Sequence, residues 1–138
     1  MYKPLSLTAS ATLNADTHAG AITRINAVAG MTVTMPAATG TGNLYIIEVA
    51  ATVTSNDYII QVASASDVME GVIGVATDAG GVNIPTAATS DTITMNGTTK
   101  GGVLGSRVLL EDVASGKWAV SGGLVSTGTE ATPFSAAV

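Results

Sequence analysis

Gly30-Met31-Thr32-Val33-Thr34-Met35-Pro36 is the stretch that decides the fold class. Met31, Val33 and Met35 alternate with Thr32 and Thr34, the period-2 pattern of a strand buried on one face. Pro36 closes it, because proline has no N–H to give to a ladder. The same grammar recurs outward in both directions. Ala21-Ile22-Thr23-Arg24-Ile25-Asn26 reads as an earlier strand without clean alternation. Leu44 to Val53 reads as a longer strand with Tyr45, Ile47 and Val49 on one face. Ser55-Asn56-Asp57 then turns into Tyr58-Ile59-Ile60-Gln61-Val62, a pair that spells a β-hairpin. Met69 to Val75 is apolar but interrupted by Gly71 and Gly74, which predicts a bent or bulged strand. Asp91-Thr92-Ile93-Thr94-Met95 alternates and stops at the turn dipeptide Asn96-Gly97. Arg107 to Asp112 and Lys117 to Ser121 follow, with Ser115-Gly116 between them and Trp118 and Val120 facing one way.

This spacing predicts an all-β chain: an antiparallel β-sandwich or barrel of about seven or more short strands with little helix. No run of 11 residues carries the i, i+3, i+4, i+7 period. Parallel βαβ units are disfavoured because crossover helices are missing, and a solenoid because no repeat of fixed period is visible. Residues 17–126 form the expected single β domain. Residues 1–16 are an N-terminal arm or, alternatively, the domain's own first strand. Residues 127–138, aperiodic and broken by Pro133, are an extended C-terminal tail.

Composition narrows the function classes. Charged residues are 11% of the 138-residue chain and hydrophobic ones 46%, with a net charge of −5. An ordinary soluble domain carries about 25% charged residues. Twenty Thr hydrate much of the surface without charge, yet this composition also suits a protein that buries apolar surface between subunits. The basic residues Lys3, Arg24, Lys100, Arg107 and Lys117 are scattered, so no patch neutralises phosphates and nucleic-acid binding is not expected. No apolar run approaches the ~20 residues of a membrane span, and Met1 to Ser6 does not read as a secretory signal. With no Cys there is neither disulfide nor thiolate.

Chemistry-bearing constellations are thin. His18 is the only histidine, and Asp16-Thr17-His18 would place a carboxylate and an imidazole on one strand face. One His and one carboxylate leave a metal site incomplete, and no Ser has the surroundings of an activated nucleophile. Gly40-Thr41-Gly42 has the glycines of a phosphate cradle without the following helix and Lys that such a loop needs. Asp67, Glu70 and Asp78 lack the dense oxygen ligands of a calcium loop. Trp118 suits either a sugar-stacking platform or, with Val120 and Phe134, the core or a subunit interface. No catalytic residue, metal or cofactor is expected.

His18-Ala19-Gly20, Asn26 to Gly30, Thr32 to Gly42, Thr52 to Ile60, Gly116 to Gly122 and Ala131 to Ser135 together resemble small structural proteins of tailed bacteriophages. The likeness spans most of the chain, through turn and strand signatures rather than chemical sites. It is similar to capsid decoration (cement, head auxiliary) proteins and to segments of head or tail fibres. The resemblance implies a non-enzymatic virion protein, made in the host cytoplasm and placed on the capsid surface, a homotrimer at threefold or quasi-threefold positions. Its partners would be itself and the major capsid protein. The N-terminal residues Tyr2, Lys3, Pro4, Leu5 and Leu7 are the expected shell contact, docking as an added edge strand. The alternatives are a receptor- or glycan-binding fibre module, which wants a shaft or clustered aromatics, and a glycan-cleaving tailspike, which wants paired carboxylates.

Overall fold

The structure, a computed structural model, describes residues 4–138. It is built of strands β1 (Pro4–Leu7), β2 (Ala11–Thr12), β3 (Ile22–Ile25), β4 (Met31–Thr34), β5 (Leu44–Val49), β6 (Tyr58–Gln61), β7 (Val68–Thr77), β8 (Gly80–Pro85), β9 (Thr92–Met95), β10 (Arg107–Ala114), β11 (Lys117–Val125) and β12 (Phe134–Ser135), with one helical turn, α1 (Ala15–His18). A seven-stranded sheet runs β1-β3-β5-β10-β11-β7-β8 and a five-stranded sheet runs β12-β9-β6-β4-β2.

The all-β expectation holds, but pairing is mixed rather than antiparallel. β1–β3, β3–β5, β2–β4, β4–β6 and β7–β11 are parallel. Up to β6 the chain steps from one sheet to the other with every strand, so each new strand lies parallel on the one laid down two strands earlier. A parallel pair needs a crossover connection. Here the intervening strand of the opposite sheet supplies it, so the lack of crossover helices excluded only the βαβ form. The first half is therefore a short solenoid-like wind. Its period varies, 18 residues from Pro4 to Ile22 and 24 from Ile22 to Ile46, which is why no repeat is legible in the sequence.

The expected hairpin between Leu44–Val53 and Tyr58–Val62 does not form, because β5 and β6 belong to different sheets. Asn56 and Asp57 both take left-handed backbone, at φ 56° and 55°, and carry the chain across the core rather than back along the same ladder. The crossover passes close to the preceding one. A Cβ on Gly30 would lie 2.4 Å from Asp57 O, so only glycine fits there. Tyr58, fully buried, fastens the two crossovers: its hydroxyl donates to Ala51 O at 2.8 Å and accepts the Ala27 N–H at 3.0 Å.

One hydrophobic cluster lies beneath both sheets. It takes Ile25, Tyr45, Ile47, Val49, Met69, Val108, Leu110 and Trp118 from the larger sheet and Met31, Val33, Tyr58, Ile60, Ile93 and Met95 from the smaller. Met31 and Val33 face in and Thr32 and Thr34 stay half-exposed, as their alternation predicts. β7 is continuous, and its glycine serves close approach rather than a bulge: a Cβ on Gly71 would meet Val120 O of β11. The irregularity lies instead in β10, between Asp112 and Ala114.

Both ends of the described residues are built into this body. β1 is an edge strand of the larger sheet and β2 of the smaller, so residues 4–12 do not project as an arm. At the other end β12 pairs with β9. The buried Asp91 carboxylate accepts the N–H groups of Ala137 and Val138 at 2.8 and 3.3 Å, so the last dozen residues are docked rather than a free tail.

Candidate functional site

The loop between β4 and β5 is densely hydrogen-bonded to the rest of the chain. Four consecutive N–H groups, Ala38 to Thr41, point at carboxylates distant in sequence, Asp67 just before β7 and Asp112 on β10. Ala38 donates to Asp67 Oδ2 at 2.9 Å. Thr39 and Gly40 donate to Asp112 Oδ1 at 2.9 and 2.7 Å, and Thr41 N–H reaches Asp112 Oδ2 at 3.2 Å. The Thr41 hydroxyl adds a fourth bond to Asp112, at 2.7 Å. Gly40 and Gly42, at φ 79° and 75°, provide the left-handed turns that bring these donors to one side. Burial pushes the Asp112 carboxyl up, and this is the largest single influence. The four donors from Thr41, Gly40 and Thr39 together outweigh it and hold the carboxyl below its usual value.

The Gly40-Thr41-Gly42 segment is thus an anion cradle, and the anion is the protein's own. Its donors are already engaged by Asp112, so the loop works as an internal latch joining the wind to the C-terminal hairpin β10–β11. Sequence reading missed Asp112, which stands 72 residues from Gly40.

The other candidates do not converge. Asp16 and His18 lie in the single turn of α1 rather than on a strand, and residues two apart in a helix do not face each other. Asn14 caps that turn, accepting the Thr17 N–H at 2.9 Å. His18 is buried, its Nδ1 within 3.1 Å of the Asn14 N–H. Asp67 is held by Ala38, Glu70 pairs with Lys117 at 2.6 Å, and Asp78 is exposed at the tip of the β7–β8 hairpin. Among the described residues no group of three His, Asp or Glu is placed to hold a metal ion.

Trp118 is wholly buried, as Val120 and Phe134 largely are, so its ring offers no platform to a sugar. It meets Tyr45 edge-on, with ring centroids 5.5 Å apart and planes at 77°. Its Nε1–H has no partner. Of the expected shell contacts, Tyr2 and Lys3 lie outside the described residues. Leu5 and Leu7 stand opposite Thr23 and Ile25, on the inner face of the sheet. They are half-buried, and Leu7 packs on the core. Pro4 is exposed. Leu7 O accepts from Asn26 N–H on the β3 side at 2.9 Å, so strand geometry turns the Pro4 and Ser6 backbone outward. Pro4 lacks the N–H an added strand would need, and this edge is blunted.

A different surface stands out on the exterior of the larger sheet. Ile22, Ile46 and Leu109 are direct cross-strand neighbours on its outer face, forming an apolar row over β3, β5 and β10. Each is half-buried, with its edge turned to solvent. Beside the row on one flank Arg24, Glu48 and Arg107 are also direct neighbours. Glu48 accepts from Arg107 at 2.7 Å and lies 3.8 Å from Arg24. On the other flank stand Leu44 and Glu111, opposite each other. The adjacent doublets Ile46-Ile47 and Leu109-Leu110 signal this row in the sequence, since a strand can turn only one of two neighbours inward. Elsewhere Val103 and Val125 line an open groove, and Leu104 nearby is 60% exposed.

No family model, curated protein or solved structure matches the chain.

Proposed function

We propose that this is a structural assembly protein that works by binding other proteins through its surface. Within that class, we read it as a decoration protein on the outside of a bacteriophage capsid, acting as a homotrimer at threefold or quasi-threefold positions. The observation that carries the reading is that the core is complete within one chain while two separate apolar regions remain outside it. One is the Ile22–Ile46–Leu109 row, and the other is the Val103, Leu104 and Val125 end. A shell-binding oligomer needs two such surfaces, one for its own copies and one for the shell. Strands at both ends of the described residues, β1 and β12, belong to the sheets, which suits a body that stays folded outside the cell. Binding only the assembled lattice stabilises that lattice by mass action, and many weak contacts suffice through multivalency.

The test is to incubate the purified protein with capsids lacking it and to locate it by cryo-electron microscopy. Trimeric density on the shell exterior is the expected result. Density confined to the tail, or no binding, overturns the reading.

A further inference from the structure

We infer that the threefold axis of the assembly runs along the Ile22–Ile46–Leu109 row, with the Arg24–Glu48–Arg107 flank of each copy facing the Glu111 flank of the next. The inference rests on the trimer reading above and assigns its interface. The row is apolar, and it lies on β3, β5 and β10 in the interior of the sheet rather than at an edge. What selects a second copy as its occupant is the charge on either side. One flank carries two Arg against one Glu, all three exposed or half-exposed. On the opposite flank Glu111 is exposed and makes no ion pair among the described residues. Each copy therefore has a surplus cation on one side of an apolar strip and an unpaired carboxylate on the other.

Three copies with their strips on a common axis bring unlike flanks together at all three junctions. That is a head-to-tail contact, and a 120° rotation closes it. The apolar strips exclude water at the centre, and the charged rows set the direction of the ring.

The test uses light scattering of the full chain, in solution and bound to capsids, with two kinds of variant. Ile46→Asp and, separately, Glu111→Arg should each reduce the trimer mass threefold with an unchanged thermal melt. Adding Arg107→Glu to Glu111→Arg should restore the trimer. The chain has no cysteine, so Arg107→Cys with Glu111→Cys in one chain can be joined by a short bis-maleimide. A covalent trimer is expected from the double variant and none from either single one. This readout decides the matter if Ile46→Asp does not fold. A trimer that survives both Ile46→Asp and Glu111→Arg overturns this interface while leaving the trimer reading intact. Cross-linking that stops at a dimer overturns the ring. A wild-type protein that is monomeric both in solution and on capsids overturns the trimer reading itself.

Discussion

Gly40 N–H donates to Asp112 Oδ1 at 2.7 Å across 72 residues of sequence, and with its neighbours it ties the first half of the chain to the last hairpin. Asp112→Ala strands three backbone donors in a part-buried loop, so it should cost about 2–4 kcal/mol in urea melts. The pH dependence follows from the depressed carboxyl. Its stabilising contribution is complete above the unfolded value of 3.8 and is lost as pH falls through the lower folded value. Asp112→Asn should therefore be less stable than wild type at neutral pH and should flatten the acid limb below pH 3.8. Parallel acid limbs in the two proteins would refute the latch.

Tyr58 joins two crossovers through one oxygen. Tyr58→Phe keeps the ring packing but leaves Ala27 N–H and Ala51 O without that partner, at a cost of roughly 1–3 kcal/mol. Faster amide exchange at Ala27, with core amides unaffected, is the local signature. Unchanged exchange there would mean the hydroxyl does not hold the crossovers.

Trp118→Ala should cost about 3–5 kcal/mol, the range for deleting a large buried aromatic. Trp118→Phe should cost clearly less, since it keeps the edge-on contact with Tyr45 and discards an indole N–H that has no partner. Calorimetry of the two variants checks the order. A Phe variant as damaged as the Ala variant would show that the indole N–H is bonded after all.

Deleting residues 2–8 should destabilise the fold by roughly 2–4 kcal/mol, because half-buried Leu5 and Leu7 leave the inner face of β3 and the edge strand is lost. A melt that matches the full chain, with capsid binding abolished, would restore the view of this segment as a docking arm.

The legible parts of the fold were those encoded by near neighbours. Met31 to Met35 announces its strand and its buried face within five residues, and Tyr45, Ile47 and Val49 do the same. Pairing was not legible, because it is fixed by crossovers of unequal length. Asn56-Asp57 reads as a hairpin turn, yet its left-handed pair sends the chain to the other sheet. The latch was not legible: Gly40-Thr41-Gly42 reads as a turn that lacks the helix and Lys of a phosphate cradle, and nothing local says that its donors hold Asp112. The outer row was written in the doublets Ile46-Ile47 and Leu109-Leu110: with Ile47 and Leu110 turned inward, the first member of each has no place in a one-sided strand.

β10 and β11 fill the gap in the middle of the larger sheet, between β5 and β7, although they are among the last strands in the chain. Until they arrive, β1-β3-β5 and β7-β8 are two disconnected pieces with open ladders toward each other. Pairings this remote in sequence are slow to form, so a nascent chain waits for its final quarter before the sheet can close. Leu109 and Glu111 belong to that final quarter. A truncated polypeptide lacks them, and with them part of the face through which we have it join its sisters. If that face carries the assembly as proposed, the order of synthesis keeps unfinished chains out of it.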